Sequence, residues 1–244
     1  MQCLVLAGGL GTRMRSISST LPKALLPMGP QTFIDWQLQW LKILGINHVV
    51  MALGHGGEEI RDHLETKQTS STYPQVNYSF DGPSLLGTGG AIKNALYLLS
   101  PDFVVTYGDT ILALDFKKMT ESHLKSKKDF TLAILRNRDH GDKSNVEFAD
   151  GKIIDYSKTK ITPRMEFIDY GISIVNKSYF KKFATNEKFD YADFMTEAIR
   201  THNTNPFVVE KMFQEIGSPE GYKTFEVELK RVDYDLKRLA KNLL

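Results

Sequence analysis

Short apolar runs alternate with helix-period segments through the first half of this chain. That alternation constrains the fold more than any other feature. Residues 2–7 form the first run, which stops at Gly8. A glycine-rich, basic stretch follows to Pro30. Phe33, Trp36, Trp40 and Leu44 then recur at three- and four-residue steps, and Gly45 stands where a C-cap belongs, so the spacing predicts a helix over 32–44. His48–Leu53 reads as a second buried strand, 57–64 as the start of a helix, Gln75–Phe80 as a strand, 88–99 as a helix and 103–107 as a strand ending at Gly108-Asp109. This order predicts an α/β fold, a doubly wound sheet with parallel strands. The second half changes character: 130–135, 146–148, 152–156 and 167–175 are strand-like and close together. Asp150-Gly151 is a hairpin signal between two of them. Antiparallel excursions closing over the sheet are expected there. A helix over 191–201, a strand over 207–215 and one C-terminal helix from about 218, with Pro219 at its first position, complete the reading.

No linker or composition shift divides the 244 residues, so they read as one domain. The net charge of +2 is too balanced to announce a nucleic-acid or membrane surface, and one cysteine, Cys3, excludes an intramolecular disulfide. The N-terminus lacks the basic start and apolar length of a signal peptide, and no stretch approaches the ~18 apolar residues of a membrane span. A cytoplasmic protein is the resulting expectation.

The chemistry concentrates in Ala7 to Pro27, AGGLGTRMRSISSTLPKALLP. A strand ends in glycines, and a loop presents Arg13, Arg15 and Lys23. Glycines let backbone N–H groups approach an anion, and basic side chains supply the opposing charge. The loop is not a Walker A motif, because Thr12-Arg13 follows Gly11 where Lys-Ser/Thr is needed. It is not the dinucleotide fingerprint either, since the third glycine would fall at Met14. Glycines alone allow a tight turn with solvated basic residues; Arg13 and Pro22-Lys23 at this spacing favour a polyphosphate grip. Arg15 reads as solvated.

These residues resemble the signature of the sugar-1-phosphate nucleotidylyltransferases, the nucleotide-sugar pyrophosphorylases. The resemblance continues at Leu86-Gly87-Thr88-Gly89-Gly90-Ala91, Tyr107-Gly108-Asp109 and Ile216-Gly217-Ser218-Pro219-Glu220, in the family's order and over residues 1 to about 222. It implies a Rossmann-like nucleotidyltransferase fold and a reaction in which a sugar phosphate oxygen attacks the α-phosphorus of an NTP, releasing pyrophosphate. It further implies Mg²⁺ as cofactor, and NTP and sugar 1-phosphate as partners. Residues 1–115 would mainly bind the NTP, 116–222 the sugar phosphate, and 223–244 form the terminal helix. Among family members the small heptose 1-phosphate guanylyltransferases are the nearest resemblance, ahead of muramic acid 1-phosphate uridylyltransferases and phosphocholine-type cytidylyltransferases.

Carried over by position, Arg13 would hold the β- and γ-phosphates and Lys23 the α-phosphate and incoming phosphate. Leu6, Ala7, Gly8, Gly9, Gly11 and Thr12 would cradle the NTP, with Gly87 and Thr88 at its base and ribose. Asp81 stands where relatives often carry Glu or Gln; it could accept from guanine N1–H and N2–H or stabilise the Gly82-Pro83 turn. Asp109 would bind the metal, with Glu215 in place of the family's usual aspartate, one methylene longer. Ser218 also departs from the family's pattern but suits an N-cap. Gly108, Lys158 in YSKTK, Asp169 and Gly171 would face the sugar phosphate. The six histidines form no metal-spaced motif; His55, near the active edge, reads as a polar loop residue.

Two other classes stay open on the sequence. A glycosyltransferase on a related fold would usually show an Asp-x-Asp motif, which Tyr107-Gly108-Asp109-Thr110 lacks. A catalytically dead nucleotide sensor would have less reason to keep Arg13, Lys23 and Asp109. Phe225, Leu229, Val232, Leu236, Leu239 and Leu243 suit either packing on the chain's own domain or a subunit seam, so a monomer or a homodimer is expected.

Overall fold

The computed structural model describes all residues except Arg15, Ser19, Gln68 and 139–142. Arg15 and His140 therefore lie outside the described residues. The elements run β1 (Gln2–Leu6), β2 (Pro27–Met28), β3 (Gln31–Thr32), α1 (Phe33–Ile43), β4 (His48–Leu53), α2 (Gly57–Glu65), β5 (Gln75–Phe80), α3 (Gly87–Ala95), β6 (Asp102–Tyr107), β7 (Thr110–Ile111), α4 (Phe116–Ser126), β8 (Phe130–Arg136), β9 (Val146–Ala149), β10 (Lys152–Tyr156), β11 (Phe167–Asn176), α5 (Lys177–Phe183), α6 (Tyr191–Arg200), β12 (Thr204–Val209), β13 (Gln214–Glu215), α7 (Pro219–Arg231) and α8 (Leu236–Leu243).

β5, β4, β1 and β6 pair in parallel in that order. β11 then joins antiparallel to β6, β8 antiparallel to β11, and β12 parallel to β8. The sheet is therefore mixed, with its parallel half built from the N-terminal strands. Alternate residues of each buried strand face opposite sides. Leu4, Val50 and Val105 pack with Ile92 and Phe194 from α3 and α6. Val5, Met51 and Val104 pack with Leu38, Ile60 and Met119 from α1, α2 and α4. Helices on both faces explain why these strands read as continuous apolar runs. A third cluster joins Phe33, Trp36 and Trp40 of α1 to Phe225, Leu229 and Leu239 of the C-terminal helices.

Three expectations need correction. The antiparallel strands do not close over the sheet; β8 and β11 extend it, and only the β9–β10 hairpin branches, from Phe167 of β11. That hairpin turns at Asp150-Gly151, both at positive φ, as the sequence predicts. The expected strand over 207–215 is instead β12, beginning at Thr204, and the separate β13. Pro206 is tolerated because β12 pairs on one side only. The single C-terminal helix is two. Asp233 and Tyr234 take positive φ, and Asp235 caps α8. Tertiary packing overrides the helical periodicity: the Tyr234 ring stacks on Trp36 at 6.2 Å and lies over Gly29, where a Cβ would overlap it. In addition, α4 and α5 were not foreseen. α4 buries Phe116, Met119 and His123, a stripe too narrow to stand out, and is capped by Asp115.

Candidate active site

The parallel strands β1, β4 and β6 end together, and the segments that follow them enclose a cavity of about 270 Å³. Crevices beyond the carboxyl ends of such strands are where open α/β sheets bind ligands. Leu6, Ala7, Gly8 and Gly9 form the wall continuing β1. Asp81, Gly87 and Thr88 form the opposite side, and Gly108, Asp109 and Lys23 the remaining edge. His55 also lines it. Gly11 lines an adjoining pocket of about 340 Å³ together with Gly9 and Lys23. Thr12 and Arg13 lie in a single 3₁₀ turn beside it.

Lys23 Nζ donates to Asp109 Oδ2 at 2.6 Å. Asp109 owes its position to α1. Buried Gln37 sends its amide nitrogen to the carbonyls of Tyr107 and Thr110, both at 2.8 Å, and so clamps the turn that carries Asp109. Ile216 N–H bonds the Asp109 carbonyl at 2.9 Å, and β13 pairs Glu215 with Thr110, the neighbour of Asp109. Two carboxylates 106 positions apart in the chain thereby meet on adjacent short strands.

Gly217 shows how tightly they converge. A Cβ there would lie 2.8 Å from Glu215 Oε2, 3.2 Å from an Arg13 guanidinium nitrogen and 3.3 Å from Asp109 Oδ2. Two carboxylates and one guanidinium thus surround a single point that only a hydrogen can occupy. The Glu215 carboxylate also accepts from the backbone N–H groups of Gly217 and Ser218 and from the Ser218 hydroxyl. Ser218 in turn N-caps α7 through Gly221 N–H, as expected.

The glycines after Leu86 have a packing cause that the sequence does not suggest. A Cβ on Gly87 would lie 2.6 Å from the Phe189 carbonyl, and Gly89 and Gly90 abut the same 187–189 segment. Their smallness admits that segment, the Phe189 ring included, while Gly87 and Thr88 also line the cavity. Asp81 closes its own loop and also faces the cavity. Its Oδ2 accepts from Leu86 N–H at 3.2 Å, closing the loop, and its carboxylate lines the cavity, where burial pushes its pKa up.

Lys158 is paired with Asp190 at 2.8 Å and is not among the residues lining the cavity. Asp169 is set deep: burial raises its pKa, against the Gly171 N–H and the nearby Lys158 charge. Gly171 has a φ of +82° and lies against the Tyr107 ring, which lines the cavity. Lys158, Asp169 and Gly171 thus gather beside the cavity rather than within its wall.

With this geometry in view, comparison with known proteins is decisive. The family model described as nucleotidyl transferase matches residues 2–227. The chain belongs to the nucleotidyl transferase family. It is 32% identical over 231 residues to the D-glycero-α-D-manno-heptose 1-phosphate guanylyltransferase of Aneurinibacillus thermoaerophilus, spanning 94% of this chain and 98% of that one. The Campylobacter jejuni enzyme of the same name is 29% identical, spanning 92% of this chain and 98% of its own. Among solved structures, HddC from Yersinia pseudotuberculosis complexed with GMP-PN matches with a TM-score of 0.75 at 26% identity, covering 91% of this chain and 96% of that chain.

In this nucleotidyl transferase the sequence pointed to most of the cavity wall but not to Gln37 and Asp190, which support it from outside. Gln37 had no signal beyond its place among apolar helix positions. Asp190 belongs to none of the motifs that the sequence singled out. Both act through contacts distant in sequence. Among the described residues no helix is long and apolar enough to cross a membrane.

Proposed function

We propose that the chain transfers a guanylyl group from GTP to a heptose 1-phosphate, forming GDP-heptose and pyrophosphate in the cytoplasm, as one domain. An oxygen of the acceptor phosphate attacks the α-phosphorus of GTP, and the bond to the β-phosphate oxygen breaks. The convergence of Asp109, Glu215 and Arg13 on one point, with Lys23 paired to Asp109, carries this reading. The names of the two relatives similar over nearly their whole length support the choice of substrates.

Such a transfer asks the protein for positioning and charge neutralisation. Lys23 would direct its ammonium to the α-phosphate and incoming oxygen, and Arg13 would hold the departing pyrophosphate. The walls formed by residues 6–9, with Gly11 and Thr12, would cradle the triphosphate. Asp81 keeps Oδ1 without a hydrogen-bond partner among the described residues, which suits the paired N1–H and N2–H donors of guanine. Lys158 would meet the acceptor's phosphate, Asp169 a ring hydroxyl, and Gly108 and Gly171 would allow the sugar close approach.

The donor set suits Mg²⁺. Asp109 Oδ1 accepts no hydrogen bond among the described residues, and no cluster of three or more His, Cys or carboxylate groups occurs there. Two hard oxygen ligands leave positions for waters and phosphate oxygens, the usual magnesium arrangement. Asp109 and Glu215 would hold the ion. When bound, it would neutralise charge on the phosphates.

The test is pyrophosphate release with each common NTP against heptose, mannose and muramic acid 1-phosphates and phosphocholine. GTP with heptose 1-phosphate should give the highest rate. Chelation should abolish it, and Lys23→Ala should lower it by ~100-fold or more. Preferred use of UTP or CTP with another acceptor would overturn the substrate assignment; GTP binding with no release from any pair would overturn the activity.

A further inference from the structure

Asp190 stands at the seam between the two halves of the candidate site. It caps α6, and one oxygen, Oδ1, accepts three hydrogen bonds: from Ala192 N–H at 2.9 Å, Lys158 Nζ at 2.8 Å and Thr88 Oγ1 at 3.1 Å. Thr88 lines the cavity and accepts in return from Tyr191 N–H at 2.8 Å. The carboxylate therefore ties the lysine that follows β10 to the start of α3, across 102 positions of sequence.

Stability is a poor reason for this arrangement. The Lys158 and Asp190 side chains are 42% and 51% exposed, and pairs so exposed add little. Helix capping needs only the Ala192 contact. Orientation is the better reason. A lysine carries its charge on a four-carbon stem with many rotamers, and fixing it in advance removes an entropic cost of binding. The bond to Asp190 uses one of the three ammonium donors and leaves two unspent among the described residues. Burial pushes the Asp190 carboxyl up, but Lys158, Ala192 N–H and Thr88 together hold it below the ordinary value, so it stays charged.

We infer that Asp190 is a positioning residue, which holds the Lys158 ammonium beside Thr88 so that its free donors meet the phosphate of the acceptor. The inference rests on Lys158 being the acceptor's phosphate contact. It carries a consequence that a structural role would not. With the lysine present, Asp190 helps the acceptor; without it, Asp190 is a bare carboxylate facing a phosphate.

The test compares wild type, Lys158→Ala, Asp190→Asn and the double variant, with GTP and heptose 1-phosphate as substrates. Asparagine still caps a helix, which keeps the fold. Asp190→Asn should raise the acceptor KM by about tenfold, with the KM for GTP within about twofold, as loss of one oriented charge contact would. In the Lys158→Ala background the same change should leave the acceptor KM unchanged or lower it. An equal rise in both backgrounds, or no rise in wild type, would overturn the inference. An unchanged acceptor KM in Lys158→Ala would instead overturn the reading of Lys158. Titration of inorganic phosphate against the ¹³Cε signal of Lys158 needs no turnover. Asp190→Asn should weaken that response by about fivefold or more. An unaltered response would reject positioning even if heptose 1-phosphate is the wrong acceptor, and no response in wild type would reject Lys158 as a phosphate contact.

Discussion

The Lys23 ammonium rests on Asp109 Oδ2 at 2.6 Å, although 86 positions separate the two residues. Both side chains are about one-fifth exposed. A pair this accessible is worth about 1 kcal/mol or less to folding. In the proposed reaction Lys23 would meet the triphosphate and Asp109 the metal. Asp109→Asn should therefore lower turnover by ~100-fold or more, the scale of losing one preorganised electrostatic contact. Its thermal midpoint should stay close to wild type. Pyrophosphate release and calorimetry on the same sample check both halves, and a midpoint that collapses with the activity would count against a local role.

Gly217 gives a sharper test, because nothing charged is removed. Its missing side chain leaves the space shared by Glu215, Arg13 and Asp109. Gly217→Ala should push these groups apart by a few tenths of an ångström and lower kcat by ~10- to 100-fold through misplacement. The backbone there is not in the left-handed region, so strain is confined to the three side chains. Unaltered kcat in a folded variant would mean that their convergence is irrelevant to turnover.

Gln37 is buried and donates to two carbonyls that flank Asp109, while its own Oε1 has no partner among the described residues. Gln37→Leu fills the space but removes the amide donor from both carbonyls, leaving Tyr107 only the Thr110 hydroxyl at 3.3 Å. It should cost about 1–3 kcal/mol of stability, the usual penalty for unsatisfied buried polar groups. It should also lower kcat, because the turn bearing Asp109 loses its clamp. Denaturant unfolding with steady-state rates on one preparation measures both. A loss of stability with normal kcat would confine Gln37 to folding.

His123 sets an acid limit. It is buried in α4, with Nδ1 2.8 Å from Thr131 Oγ1. Burial lowers its pKa below 6.5, against the attraction of Asp102 and Asp129. The unfolded chain then binds its proton first. This contribution is full above about pH 6.5 and is lost as pH falls from there toward the folded value, at about 1.4 kcal/mol per unit of displacement. Asp190 and Asp35 are shifted below 3.8 and act in stronger acid. Asp169 is raised above 3.8 and acts with the opposite sign, since its ionisation costs stability. The difference between wild type and His123→Gln isolates the histidine: urea midpoints should fall more steeply from pH 7 to 5 in wild type. Parallel curves would refute it.

The sequence by itself determined the parallel half of the sheet, because strands covered on both faces must be apolar throughout and helices between them must carry a stripe. It determined the hairpin at Asp150-Gly151, where the turn needs two positive φ angles. It also drew attention to Lys23, Arg13 and Asp109, through a glycine-rich basic loop, a carboxylate at a strand end and the family motifs that these resemble. Tertiary structure alone decided the break at Asp233-Tyr234, where an aromatic stack outweighs helical periodicity. It brought the 187–189 segment against Gly87, Gly89 and Gly90, where no side chain would fit without a shift. It brought Glu215 beside Thr110, Gln37 under the turn of Asp109, and Asp190 between Lys158 and Thr88. Periodicity and capping record the local environment of each residue. These last contacts join residues far apart in the chain, and no local pattern encodes which distant groups will meet.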